Sequence, residues 1–104
     1  MRRSRLAPSP TGALHLGNAC SFMINWALAR QNNWELNLRM EDLVGPRIDI
    51  ESIGNPISIL TWLGLDWDGD MKVQSHDLMP YHDGLYDLIA KNCVYHCKLT
   101  RKEI

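Results

Sequence analysis

The sequence predicts an α/β fold of parallel strands joined by crossover helices, and three observations carry that prediction. A short segment at 2–6 runs into a loop dense in proline and glycine, "APSPTGALHLGN". A proline-free apolar run, "GNACSFMINWALAR", follows at 17–30. Then "WELNLRME" alternates, with Trp34, Leu36, Leu38 and Met40 facing one way and Glu35, Asn37 and Arg39 between them. That period of two is the mark of a strand. Strand, helix, strand at this spacing reads as a parallel βαβ unit with a right-handed crossover.

Each element has its own warrant. The first strand rests on position, because only Leu6 within 2–6 is strongly apolar. The 17–30 run is apolar on most sides, which suits a helix buried on more than one face. Gly17 or Asn18 is placed to help start it, and Arg30 suits its negative end. After the second strand, "DLVGPR" is a loop punctuated by Gly45-Pro46. "ISILTWLGL" at 57–65 is helical and ends near Gly64, with Asn55 as N-cap and Pro56 at the first helical position. "DWDGDMKVQS" gives a turn and a short strand. "DLMPYHDGLYDLIAKN" gives a further helix, with Pro80 in its first turn and Tyr81, Leu85, Leu88 and Ile89 at helical spacing. "CVYHC" is strand-like, and Thr100 and Glu103 stand at capping-box spacing. A helix of a single turn is not stable alone, so the chain is expected to be the front of a longer protein.

Composition narrows the class. With 104 residues, 45% of them hydrophobic, the chain is one small domain or part of a larger one and supports a packed core. No apolar run reaches the ~18 residues that span a bilayer. The basic start, "MRRSRLAPSPTG", lacks the apolar segment of a signal peptide. A cytoplasmic location without a membrane partner is the expectation. A net charge of -1 gives no compositional support for nucleic-acid binding. Three cysteines suggest reduced thiols or a partial metal site rather than a disulfide framework.

In open parallel sheets, ligands sit outside the carboxyl ends of the strands. The first strand ends near Leu6 and the second near Glu41, so Arg5, Ser9, His15 and Glu41 are expected to converge there. Pro8 and Pro10 stiffen the loop, and Gly12 permits a conformation that other residues resist. Gly17 leaves bare backbone at a helix N-terminus, a natural phosphate site to which His15 and Asn18 add donors. Arg5 suits a carboxylate in two-pronged fashion, and Glu41 suits an ammonium. The spacing is equally compatible with a structural Pro/Gly loop, a solvated Arg5 and a solvated turn at Glu41-Asp42.

Taken together, the motifs are more specific. "RLAPSPTGALHLGN" resembles the opening signature of the glutamate-specific class I aminoacyl-tRNA synthetases, with "HLGN" at the family's His-x-Gly-His/Asn position. "LRMEDLVGPR" resembles the second conserved stretch. "WLGLDWDGDMKVQS", "YHDGLYDLI" and "VYHCKLTRKEI" are most similar to the shortened, glutamyl-queuosine tRNA(Asp) synthetase branch, which passes directly from "WDGD" to a "QS" strand. The resemblance implies a Rossmann-like class I aminoacyl-tRNA synthetase catalytic domain. Residues 1–92 would be its N-terminal half and 93–104 the start of an inserted subdomain. It implies an ATP-dependent ligase that makes glutamyl-adenylate and passes glutamate to tRNA, either tRNA(Asp) or tRNA(Glu), with Mg²⁺ accompanying ATP. Carried over by position, Arg5, Leu6, Ala7, Pro8 and Ser9 would wrap the glutamate, with Glu41 on its amino group. His15, Gly17 and Asn18 would line the ATP site, His15 and Asn18 acting in catalysis.

The sequence departs from the family in three places. Nothing matches the family's lysine-containing "KMSKS"-like loop, so the chain by itself is expected to be inactive. Cys97 matches the first cysteine of the branch's Cys-x-Cys zinc motif, but Leu99 replaces the second. Cys93, His96 and Cys97 leave a rescued zinc site conceivable, yet two cysteines without distant partners fall short of four tetrahedral ligands. Pro56 falls where the family has a continuous helix, and proline inside a helix costs about 3 kcal/mol, so a shortened or kinked helix is expected. An ordinary glutamyl-tRNA synthetase and a truncated, non-catalytic nucleotide-binding remnant are the alternatives.

Overall fold

The computed structural model describes residues 1–10, 15–43 and 54–103. Strand β1 (Arg3–Leu6), helix α1 (Leu16–Gln31), strand β2 (Glu35–Met40), helix α2 (Gly54–Trp62), strand β3 (Lys72–Val73) and helix α3 (Met79–Ala90) follow in order. A 3-10 turn at Gln74–His76 links β3 to α3. The strands form one sheet in the order β1-β2-β3, all parallel. Arg5 lies opposite Asn37, Leu6 opposite Leu38, and Arg39 opposite Lys72. Because β1 and β2 are parallel, α1 must carry the chain back from the carboxyl edge of the sheet to its amino edge.

The alternation of β2 makes the two faces of the sheet unlike. Leu36, Leu38 and Met40 are fully buried while Glu35, Asn37 and Arg39 are not. The core joins Leu6, Leu36 and Leu38 to Ala29 of α1, Leu60 of α2 and Leu65, with Phe22, Trp26, Trp34 and Leu63 packed around it. Both α1 and α2 therefore cover the apolar face, and the charged face carries Arg3, Arg5, Glu35, Asn37 and Arg39.

All three helices end in one way. Asn33, Gly64 and Asn92 adopt positive φ of 55°, 75° and 55°. In each case the next residue donates its N–H five residues back: Trp34 to Ala29 at 2.8 Å, Leu65 to Leu60 at 2.9 Å and Cys93 to Leu88 at 2.9 Å. These are Schellman ends, which satisfy the last carbonyls and aim the chain out of the helix. A separate clasp fixes the far end of α1. Trp26 Nε1 donates to Asp66 at 2.6 Å, and the Arg30 guanidinium reaches Asp66 at 3.0 Å and Asp68 at 2.9 Å. Asp68 in turn accepts the Leu36 N–H at 2.7 Å and gives its own N–H to the Leu36 carbonyl at 2.7 Å.

Several expectations need correction. Helix α1 is not buried on more than one face: only Ala29 is fully buried, and Met23, Ile24 and Leu28 are exposed. The sheet covers a single stripe of it, formed by Phe22, Trp26 and Ala29. Its N-cap is His15, which makes no side-chain capping bond, so Gly17 and Asn18 lie inside the first turn. Helix α2 starts at Gly54, so Asn55 is helical and not the cap, and the helix ends at Trp62. Pro56 is the third residue of the described span of α2, and residues 51–53 before that span lie outside the described residues. "CVYHC" is not a strand: residues 93–100 are irregular and exposed, with no neighbouring strand to pair with among the described residues. Gly12 and the Gly45-Pro46 loop lie outside the described residues.

A candidate amino-acid and nucleotide site at the carboxyl edge

Two local devices aim Arg5. Ser4 and Leu6 point to the helix-covered face, where the Ser4 hydroxyl donates to Asn25 Oδ1 at 2.6 Å. The Asn25 amide donates in turn to the Arg5 carbonyl at 2.9 Å. Alternation then places the Arg5 side chain on the opposite, charged face. There, with Arg3, Ser4 and Asn37, it lines an open depression of about 490 Å³.

Glu41 follows β2 with the parity of Asn37 and Arg39. The Arg39 Nη2 pairs with Glu41 Oε1, which keeps the carboxylate on the same face as Arg5. The Glu41 N–H donates to the Pro8 carbonyl at 2.9 Å, extending the β1–β2 ladder past Leu6. This bond brings the proline loop and the carboxylate together. The Nε of Arg39 is buried and without a partner among the described residues. Unpaired buried donors are rare in protein interiors.

The remaining site residues divide by environment. Leu6 is fully buried in the core, so only its backbone is available to a ligand. Pro8 and Pro10 are also fully buried, and Ala7 and Ser9 are half-buried beside them. His15, Gly17 and Asn18 are exposed at the N-terminus of α1, and the His15 carbonyl accepts the Ala19 N–H at 3.1 Å. Among the described residues, no contact joins these three to Arg5 or Glu41. A Cβ built on Gly17 meets nothing within 4 Å, leaving space for a phosphate against the helix N-terminus. Donors at the helix terminus, a guanidinium and a carboxylate are the chemistry that suits a zwitterionic amino acid beside a polyanion.

Two further residues belong to this edge. The Asp42 carboxylate accepts the Ser75 N–H at 2.8 Å on Oδ1 and the Ser75 hydroxyl on Oδ2. Burial works against its charge, but the two Ser75 bonds hold Asp42 below the ordinary carboxylate value. Sequence reasoning missed both this pair and Arg39. Arg39 was legible in principle, since residues two apart in a strand share a face and Arg39 and Glu41 are of opposite charge. The Asp42–Ser75 contact spans 33 positions and left no local signal.

Metal chemistry finds no support from donor geometry. Among the described residues, no three His, Cys, Asp or Glu side chains gather to hold a metal. Cys93 and Cys97 are exposed free thiols. The described residues by themselves do not assemble four zinc ligands around Cys97. A magnesium ion arriving with ATP would be held by phosphate oxygens rather than by a protein cage.

An open parallel sheet with a guanidinium, a carboxylate and a helix N-terminus toward its carboxyl edge is the arrangement at which Rossmann-like folds take ligands. The model of the family "tRNA synthetases class I (E and Q), catalytic domain" matches residues 2–104, and the chain belongs to that family. It is 47% identical over 100 residues to a glutamyl-Q tRNA(Asp) synthetase of Rhodopirellula baltica, covering 96% of this chain and 30% of that protein. It is 41% identical over 104 residues to a glutamate–tRNA ligase of Synechococcus sp. (strain WH7803), covering 100% of this chain and 22% of that one. Among solved structures it resembles a glutamate tRNA ligase from Elizabethkingia meningosepticum in complex with its amino acid. That match has a TM-score of 0.72 and 28% identity, over 86% of this chain and 19% of that one. The chain thus spans 19–30% of the length of these three relatives. Its fold is the N-terminal part of the Rossmann-like class I catalytic domain. No helix among the described residues is long and apolar enough to cross a membrane.

Proposed function

We propose that this chain supplies the glutamate- and nucleotide-facing part of an ATP-dependent glutamate–tRNA ligase, most like a glutamyl-queuosine tRNA(Asp) synthetase. The observation that carries the reading is the placement of Arg5 and Glu41 on one sheet face, with Glu41 bonded to the Pro8 carbonyl at 2.9 Å. Arg5 would pair with a glutamate carboxylate, and the Glu41 carboxylate would take the ammonium. Ala7, Pro8 and Ser9, with the Leu6 backbone, would wall the amino acid. His15, Gly17 and Asn18 would receive ATP at the positive end of α1.

The chemistry follows from this arrangement. The glutamate α-carboxylate attacks the α-phosphorus of ATP, a new P–O bond forms, and the bond to the β-phosphate breaks to release pyrophosphate. Negative charge builds on the α-phosphoryl oxygens, where N–H donors from His15, Asn18 and the helix terminus stabilise it, typically by a few kcal/mol per donor. Magnesium bound with ATP would neutralise phosphate charge. The adenylate then passes its glutamyl group to a tRNA hydroxyl, the acyl–phosphate bond breaking to release AMP. In this reading residues 1–92 are half of the catalytic domain, 93–104 open an inserted subdomain, and the protein works in the cytoplasm.

The test is glutamate-dependent exchange of pyrophosphate into ATP by the full-length protein, assayed with and without tRNA. Exchange is expected; its absence, with ATP or glutamate binding retained, would instead mark a non-catalytic module. A second reading, an ordinary glutamate–tRNA ligase, is favoured by the Synechococcus and Elizabethkingia relatives. Charging assays separate the two: glutamylation of tRNA(Asp) is expected, and charging of tRNA(Glu) alone would select the second reading.

A further inference from the structure

Glu41 is the first residue past β2, where the β1–β2 ladder reaches its last bond. Its N–H is tied to the Pro8 carbonyl at 2.9 Å. The next anchor in the chain is Asp42, whose two carboxylate oxygens hold the N–H and the hydroxyl of Ser75. Ser75 belongs to the 3-10 turn that directly follows β3, and β3 is paired to β2 through Met40 and Val73. The clasp therefore closes a short loop of fixed geometry: β2, its neighbour β3, the turn, and back to the residue beside Glu41.

We propose that Asp42 and Ser75 are positioning residues for substrate binding, holding the Glu41 backbone so that its carboxylate meets the amino group of the amino-acid substrate. The proposal rests on reading Glu41 as the ammonium ligand. Asp42 is turned to Ser75 and does not touch the substrate. Both of its oxygens are engaged by Ser75 groups, and His76 is the titratable neighbour that faces it. Its partners in the clasp are a neutral N–H and a neutral O–H, so shape rather than charge is the property that matters. An asparagine can keep both links, its carbonyl accepting the Ser75 N–H and its amide donating to the Ser75 oxygen.

Exchange kinetics of the full-length protein test this, with glutamate and ATP varied separately. Asp42→Ala is expected to raise the KM for glutamate roughly 10-fold or more, the scale at which small misplacements act, with the KM for ATP nearly unchanged. Ser75→Ala, which keeps the backbone N–H, is expected to give a smaller rise in the same direction, and Asp42→Asn to restore most of the loss. Should Asp42→Ala fail to fold by thermal melting, Ser75→Ala and Asp42→Asn still decide the matter. A glutamate KM unmoved by Ser75→Ala and Asp42→Ala, or an Asp42→Asn variant as impaired as Asp42→Ala, overturns the proposal while leaving the ligase reading intact. A wild-type protein without exchange removes the ligase reading itself, and the positioning role with it.

Discussion

A Cβ added at Gly17 would meet no side chain, and no backbone from outside its own helix, within 4 Å among the described residues. The residue sits in the first turn of α1 and is not among the described glycines of positive φ, so neither packing nor backbone geometry demands glycine there. Under the proposed reading, a side chain here would crowd a phosphate set against the helix terminus. Gly17→Ala is then expected to leave thermal stability unchanged or raise it by up to about 1 kcal/mol, through helix propensity. The KM for ATP in the exchange assay is expected to rise severalfold. Improved stability with an unaltered ATP KM would place the nucleotide elsewhere. Gly17 was legible because its neighbours announce a helix start after a stiff loop. Arg39 was passed over because the alternation of β2 was read for its apolar half alone, although Arg39 and Glu41 stand two apart on the polar half.

At the level of elements, local chemistry was readable and long-range partners were not. The alternation of 34–41 gave β2, and Gly64 and Pro80 marked one helix end and one helix start. Asn33 and Asn92 do the work of Gly64 in the other two Schellman ends, a role asparagine fills because it tolerates the left-handed region. "CVYHC" has strand-forming residues, but a strand is defined by a neighbour, and composition does not supply one. The clasp of Arg30 with Asp66 and Asp68 joins residues 36 and 38 positions apart, and "DWDGD" read only as a turn. Its electrostatics have a pH signature. The Trp26 N–H and then Arg30 hold the Asp66 carboxyl below its ordinary value, and Arg30 and then the Leu36 N–H do the same for Asp68. A carboxyl with a lowered folded pKa stabilises the fold above its unfolded pKa of about 3.9 and loses that contribution as pH falls through the folded value. The clasp is thus intact at neutral pH and fails in acid, below about pH 4. Arg30 is raised, chiefly by Asp68, and stays charged throughout this range. Melting temperatures are expected to fall on acidification from about pH 5 to 3, and by less in Asp68→Asn than in the unsubstituted chain. An identical acid response in the two would show that the clasp contributes nothing to folding.

Across the whole molecule, the sheet separates an apolar, helix-covered face from a charged one, which the proposed function reads as the substrate face. One face carries Leu6, Leu36 and Leu38 against α1 and α2; the other carries Arg5 and, through Arg39, Glu41. Register makes the separation unavoidable, because neighbouring positions in a parallel pair share a face and successive residues alternate. Arg5 and Leu6 are adjacent in sequence and opposite in role. The architecture was legible at this scale because one amphipathic strand dictates which face is buried, and the strand ends mark where the candidate site is proposed. The division predicts a double dissociation. Leu38→Ala removes a fully buried side chain and is expected to cost about 2–5 kcal/mol of stability, read by denaturant or thermal unfolding. At temperatures where that variant stays folded, its KM for glutamate should match that of the parent protein. Arg5→Ala alters an exposed residue, and stability should stay within about 0.5 kcal/mol of the parent. Loss of its charge-assisted bonds to a carboxylate, worth about 1.5–3 kcal/mol, is expected to lower kcat/KM for glutamate roughly 10- to 100-fold. A stable Arg5→Ala protein that activates glutamate as well as the parent would show that the charged face is not where the amino acid binds.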